Sequence, residues 1–542
     1  MEKKGSAVNR RNFLKGTAAA GLGAATATAT AQVRFDHTAD VVIVGAGASG
    51  LPAAIMARDH GASVIVIDAN HDIGGHAMLS GGRIPLGGGT SLQKKYGVAD
   101  SADQVYLDHT NHRNPEFRHA DRDLVRAWAD ENVASFEFLL ENGVIFDDVA
   151  PTIVNGGTVP RLFVTKVYSD DYNETINGRP GSGLVRHLEA SARKKGVTIL
   201  LRHKLVRIIR ETPSSGRVLG ITAQFEGKDV NIRAKNGVIL ATGGHTSNVE
   251  FRRRFDPRLT EEYQTTGEPW TQQNADGEIL ALAMGATMWS TANQANTRGL
   301  AITKTIHIGC RYGYRNLKWE PQSPIFNLAG ASGLSVRDFQ DLILVNQVGQ
   351  RFWNEVDETY EFLSACMGTN GALGKGGSKA NGGGPIWAIF DADAVKREKW
   401  DPQPPNVDLN GWFFSAGNLA ELAAKIKNPY QFQAVPGRAL EETVARYNAH
   451  VDAGKDADFA KPTPKYKIQT PPFYAAWSTP ILHDTLTGIK INTKCQVIDV
   501  QGKAIAGLYC AGESAGGFAL HGLPRVIVFG RIAGREAALA KG

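Results

Sequence analysis

Apolar positions along the chain fall into short unbroken runs and helical stripes, and their alternation predicts an α/β protein. Val41 to Val44 is an unbroken apolar run, expected of a central parallel strand buried on both faces. LPAAIMARDHG, from Leu51 to Gly61, reads as a helix with its apolar residues on one face, and SVIVID, from Ser63 to Asp68, as a second strand. Gly183 to Gly196 reads as an amphipathic helix, Val197 to Ile209 as a single strand after it, and Asn236 to His245 as a buried strand running into a glycine turn. Asn274 to Glu278 opens another helix. Near the end, Ala506 to Gly517 places a strand before Gly512-Glu513, and VIVFGRIAGREAALA closes the chain as a helix.

The first strand and helix are joined by Gly45, Gly47 and Gly50 at G-x-G-x-x-G spacing. Gly45 makes the tight turn, Gly47 lets a pyrophosphate approach the backbone, and Gly50 lets helix and strand pack closely. The helix N-terminus, with Ala48 and Ser49, offers unpaired N–H groups and partial positive charge to phosphates. Asp68, followed by Ala69, ends the second strand where a carboxylate accepts hydrogen bonds from ribose hydroxyls. Residues 72 to 91 then carry Gly75, His76, Ser80, Gly81 and Gly82, a glycine-rich stretch suited to a backbone laid against an extended cofactor. Val206, on the later strand, is assigned to the same site.

Composition changes the picture in three ways. Asn9-Arg10-Arg11-Asn12-Phe13-Leu14-Lys15 and the Ala/Gly/Thr stretch ending at Ala31 resemble a twin-arginine export signal, which implies a periplasmic protein. The formal net charge is +6, but residues 1 to 31 hold five Lys/Arg and one Glu, so four of those charges leave with the leader. The remainder is nearly neutral and gives no support for nucleic-acid binding. The four cysteines, Cys310, Cys366, Cys495 and Cys510, have no CxxC or CxxCH spacing, which argues against attached haem and ferredoxin-like clusters. No later apolar run is long enough to cross a bilayer, so no stable membrane insertion is expected, and no metal site is read.

The GAGASG turn, GGH…SGG, ATGG, ADGE, LYCAGE and FGRIAG, in that order, resemble the flavoprotein superfamily of fumarate reductases and 3-ketosteroid dehydrogenases. The resemblance covers nearly all of Asp40 to Gly542. It implies a Rossmann-like FAD domain in two pieces, about 32 to 292 and 484 to 542, with a cap of about 293 to 483 inserted over the flavin. It adds Ala241, Thr242, Gly243, Gly244, Asp276, Gly512, Glu513, Val526 and Ile527 to the FAD contacts. In succinate dehydrogenases of the superfamily a histidine near the position of His76 bonds covalently to flavin, whereas the Gly74-Gly75 pair is the non-covalent pattern.

The family passes hydride between flavin and a carbon near a carbonyl or carboxylate, while a side chain handles the proton on the adjacent carbon. The chain departs from fumarate reductases, with Asp357-Glu358-Thr359-Tyr360 where their acid arginine stands and Asp484 where a substrate histidine would be. Tyr360 lies within a residue of a tyrosine of ketosteroid dehydrogenases, and Tyr168-Ser169-Asp170-Asp171-Tyr172 resembles their YSDYY-like segment, with Tyr172 or Tyr168 as its tyrosine, but their Tyr-Pro-Gly-Pro-Gly segment is replaced by Leu520-His521-Gly522-Leu523-Pro524-Arg525. Tyr360, Tyr172, Arg525, His521 and Asp484 are therefore the candidate catalytic residues, Arg525 also a cofactor contact, and His307 a structural residue. The expected reaction is α,β-dehydrogenation of a cyclic or steroid-like ketone. Enoate reduction with Arg525 on the carboxylate is the alternative, and electron relay through a degenerate site a second one. The electron partner is a quinone, a cytochrome or dioxygen.

Overall fold

The computed structural model describes residues 33–110, 120–153, 157–169, 178–212, 215–289, 300–315, 317–358, 360–367, 384–518 and 522–541. β1 (His37–Val44) is flanked by two parallel neighbours, β2 (Val64–Ile67) and the strand Lys228–Leu240. Thr198–Leu200 extends the sheet beyond β2, and Ala504–Cys510 joins parallel to Lys228–Leu240 on the other side. Gln496–Ile498 and an antiparallel pair, Lys204–Arg210 with Val218–Phe225, complete eight strands. β1 reads as an apolar run because Val41, Val42 and Ile43 are fully buried at the centre of this sheet.

α1 (Gly50–Asp59) is buried from Gly50 to Ala57, so it is not the half-exposed helix that its sequence predicts. The reason is the last helix, Leu523–Leu539. An added Cβ on Gly530 would lie 2.3 Å from the Ser49 carbonyl, and one on Gly534 would lie 2.2 Å from that of Ala53, so the two helices touch backbone to backbone. The expected strand from Val197 to Ile209 is two strands. Arg202, at φ 59°, breaks it, and Lys204–Arg210 then turns to pair elsewhere. The amphipathic helix starts three residues early, at Pro180, whose fixed φ suits a first turn.

A second, four-stranded antiparallel sheet runs in the order Ile343–Val345, Trp387–Asp391, Phe473–Trp477, Phe413–Ala416. It carries two apolar clusters, one on Phe352, Phe362 and Phe390, the other on Trp387, Trp412 and Trp477. Between them lies a buried charge network. Arg351 donates to both Glu355 oxygens (2.6 and 2.8 Å) and to Asp456 (2.9 Å), and Lys461 stands 3.4 Å from Glu355. All four cysteines are buried, and no helix of the described residues is long and apolar enough to cross a membrane.

Candidate functional site

A cavity of about 510 Å³ opens at the carboxyl end of β1, the end where doubly wound sheets bind ligands. It runs from Asp68, Asn70 and Leu205 past Gly47, Ser49 and Gly243 to His76, His483, Asp484 and Leu523. Gly45 and Gly50 make the tight turn and the close packing that their spacing predicts. Gly45 sits at φ +108°, and a Cβ there would be 2.1 Å from the Ala241 carbonyl; one on Gly50 would be 1.8 Å from the Gly45 carbonyl. Gly47 would meet only the Gly74 carbonyl, at 3.7 Å, which leaves its cavity side open. Ser49 Oγ is buried with no hydrogen-bond partner and lines the cavity at the start of α1. A bare hydroxyl beside open helix N–H groups fits a phosphate.

The Asp68 carboxylate accepts from the Ala46 N–H at 2.7 Å and the Asn70 N–H at 2.8 Å. Burial pushes this carboxyl up, and the two N–H donors work against it. At the other end of the cavity one buried amide orders three side chains. Gln273 Oε1 accepts from Thr246 Oγ1 at 2.6 Å, so its Nε2 must point away, and it donates to Glu513 at 2.6 Å and to His76 Nδ1 at 3.3 Å. Thr266 Oγ1 spends its proton on the His483 carbonyl at 2.8 Å, so the His76 Nε2–H donates to Thr266. Both imidazole nitrogens of His76 are thereby engaged.

His483 is bonded at Nε2 and has a carboxylate close to Nδ1. Its Nε2 meets the Tyr314 hydroxyl at 3.1 Å, and its Nδ1 lies 3.3 Å from the Asp484 carboxylate. The second Asp484 oxygen accepts from the Gly522 N–H at 3.1 Å. Tyr314 is itself anchored, because the buried His307 donates from Nδ1 to its carbonyl at 2.8 Å.

Of the residues expected on the cofactor, Gly45, Gly47, Ala48, Ser49, Asp68, Ala69, Gly75, His76, Ser80, Ala241, Thr242, Gly243, Asp276, Gly512, Glu513 and Val526 line the cavity, as does Asp484. The structure corrects the others. Val206 is 37% exposed; its neighbour Leu205 turns inward instead, because successive strand residues face opposite ways. Ile527 is core. Gly50, Gly82 and Gly244 serve close packing, against the Gly45 carbonyl, Thr165 and Pro180, and the Thr485 side chain in turn, and Gly81 is off the lining. Arg525 is buried behind the wall, its guanidinium on the carbonyls of Thr485 (2.9 Å) and Phe518 (3.4 Å), where burial pulls its pKa down. Tyr172 and His521 lie outside the described residues; Tyr360 opens the helix Tyr360–Met367, and its side chain also lies outside them. The sequence reading missed Gln273, Tyr314, His483 and Trp270, which no glycine motif marks. His483 adjoins Asp484 and was within reach.

The cavity is acidic. Asp68, Asp276, Asp484 and Glu513 line it, whereas Lys204 is its one Lys or Arg among the described residues. Lys204 stands 3.4 Å from Asp276, near the Asp68 end.

Comparison with known proteins places this geometry. The chain is 29% identical over 512 residues to a fumarate reductase (cytochrome) of Shewanella frigidimarina, spanning 92% of this chain and 77% of that one. Its fold matches a flavocytochrome c3 fumarate reductase in an open conformation (TM-score 0.67, 24% identity, 99% of this chain and 82% of that one). It also matches the 3-ketosteroid delta1-dehydrogenase of Sterolibacterium denitrificans (TM-score 0.65, 20% identity, 93% and 99%). Residues 7–27 match the TAT (twin-arginine translocation) pathway signal sequence, which directs export to the periplasm. Residues 40–523 match the FAD binding domain model FAD_binding_2, and the chain therefore belongs to that family, as an FAD-dependent oxidoreductase acting on carbon–carbon double bonds.

Proposed function

We propose that the protein moves hydride between FAD and a carbon–carbon bond next to an uncharged carbonyl. Dehydrogenation of a cyclic or steroid-like ketone and reduction of the matching enone are the two directions of that reaction. Charge is the observation that supports it. Around His76, Tyr314, His483 and Leu523 no Lys or Arg of the described residues lines the cavity, while Asp484 and Glu513 do. A carboxylate brought there would lose its water without gaining a Lys or Arg of the described residues, at a cost of several kcal/mol per ion. A neutral carbonyl carries no such penalty. The relative named a fumarate reductase favours a second reading, enoate reduction. Arg525, the cation that reading called for, lies off the cavity lining and donates to two backbone carbonyls.

In this reading residues 32–292 and 484–542 form the flavin domain, with 293–483 as a cap. The parallel sheet within 37–240 and 496–510 and the antiparallel sheet within 343–477 support that division. The Gly45–Gly47 turn and the start of α1 hold the pyrophosphate, and Asp68 a ribose. The Gln273 cluster orders the end where the chemistry occurs. Bound there, FAD supplies two-electron hydride chemistry. The engagement of both His76 nitrogens supports non-covalent binding. The electrons are exchanged with a separate quinone, cytochrome or dioxygen.

Anaerobic titration of oxidised holoprotein with 2-cyclohexen-1-one and, separately, with fumarate tests the charge argument. The enone is expected to perturb the flavin spectrum and fumarate to leave it unchanged. Saturable perturbation by fumarate with none by the enone would overturn the reading.

A further inference from the structure

Proton transfer to carbon needs a side chain of its own, and the cavity holds an ordered series of three. Tyr314, His483 and Asp484 all line it. The Tyr314 hydroxyl is 3.1 Å from His483 Nε2, and His483 Nδ1 is 3.3 Å from Asp484 Oδ1. None of the three is loosely placed. The carbonyls of Tyr314 and His483 accept from His307 and Thr266, and Asp484 accepts from the Gly522 N–H. An acid–base group that contacts a second one, itself oriented by a third, is the general pattern of an activated proton-transfer site.

We propose that Tyr314 is the catalytic residue that gives or takes the proton on the carbon next to the carbonyl, with His483 and Asp484 as positioning residues that move and hold its charge. The proposal rests on the flavin reaction described above. In the reducing direction the Tyr314 O–H bond breaks as a C–H bond forms at that carbon. The resulting phenolate recovers a proton from water by way of the His483 imidazole, which hands one proton to the Tyr314 oxygen and takes one up in its place. The other hydrogen arrives as hydride, with both electrons, from reduced flavin, so one C=C becomes CH–CH. His483 faces Asp484 at 3.3 Å. Its other titratable and charged surroundings are His76, whose ring centre is 6.0 Å away, Glu513 beyond His76, and the buried Arg525 behind Asp484. Tyr314 thereby takes the role that the sequence reading gave to Tyr360.

The test separates proton from electron transfer. Holoprotein reduced with dithionite is incubated with cyclohexanone in deuterated water, and α-deuterium uptake is followed by NMR; this exchange needs the base and no oxidised flavin. Tyr314→Phe is expected to keep FAD and lower exchange about 10²- to 10⁴-fold, the usual contribution of an acid–base group. His483→Gln is expected to lower it less and to change its dependence on pH, which a merely structural role would leave unmoved. A yellow Tyr314→Phe protein that exchanges within about 2-fold of the parent, or one outdone in loss by Tyr360→Phe, overturns the proposal. Wild-type protein that exchanges nothing yet is reoxidised by fumarate would fell the neutral-carbonyl reading instead. Tyr314 is then judged on fumarate, where an unslowed Tyr314→Phe protein refutes it. Inertness towards both refutes both.

Discussion

Acid should unfold this protein through its buried histidines, and His307 allows the effect of one to be isolated. Burial pulls the His307 imidazole down from 6.5 to about 4, opposed by its hydrogen bond to the Tyr314 carbonyl. Between those values the unfolded chain binds a proton that the folded protein does not, so stability falls as pH falls, by about 1.4 kcal/mol per pH unit. From pH 6.5 to 5 that is about 2 kcal/mol from one side chain, a sizeable part of the 5–15 kcal/mol that holds a domain together. His109 and His245, drawn down to about 4 and about 3 by burial, act the same way. Glu278 opposes them. Burial holds its carboxyl well above the ordinary value, so its contribution is complete below the unfolded pKa and is lost as pH rises. The total slope is therefore blurred, but the difference between two proteins is not. His307→Gln keeps an amide donor for the Tyr314 carbonyl and removes the titration. Urea unfolding of FAD-saturated protein at pH 7, 6 and 5 is expected to show a loss from pH 7 to 5 that is smaller in His307→Gln by about 2 kcal/mol. Equal losses within about 0.5 kcal/mol would refute the reasoning.

Three further outcomes are expected. Gly50→Ala places a methyl 1.8 Å from the Gly45 carbonyl and should destabilise the protein by about 1–3 kcal/mol and shed FAD. Gly61→Ala, at φ +82° with nothing within 4 Å, should cost only the left-handed strain of about 1–2 kcal/mol and stay yellow; thermal unfolding and flavin absorbance check both. Glu355→Gln strips the buried Arg351 and Lys461 of their shared carboxylate and should cost about 3–5 kcal/mol in urea unfolding, far more than Glu442→Gln in the exposed Arg438 pair. Acid denaturation should release all of the yellow colour with the small molecules, and colour left on the polypeptide would contradict the contacts of both His76 nitrogens.

How much of this was legible in the sequence follows physical lines. β1, the tight turn after it and the closing helix stand where the sequence places them because strand period, backbone clearance and helix packing each leave a local signature. α1 misled because its burial comes from a helix some 480 residues away in sequence, whose Gly530 and Gly534 admit it. Val206 misled because a strand broken at Arg202 changes which residues face inward. Arg525 was read as a ligand because it precedes VIVFGR, the helix expected to point at the flavin; only the fold shows the Thr485 and Phe518 carbonyls accepting from it. Gln273, Tyr314 and His483 come from separate segments and meet only in three dimensions, so nothing in their spacing marks them.

Reoxidation of reduced protein bears most directly on the central claim, that flavin here serves a carbon–carbon bond beside an uncharged carbonyl. Holoprotein reduced with dithionite would be mixed without oxygen with equal concentrations of 2-cyclohexen-1-one and, separately, fumarate, and the return of yellow absorbance timed. The acidic lining predicts that the enone restores the colour at least about 10-fold faster, the factor that 1.4 kcal/mol supplies, with cyclohexanone as product. Faster return with fumarate, giving succinate, would contradict it.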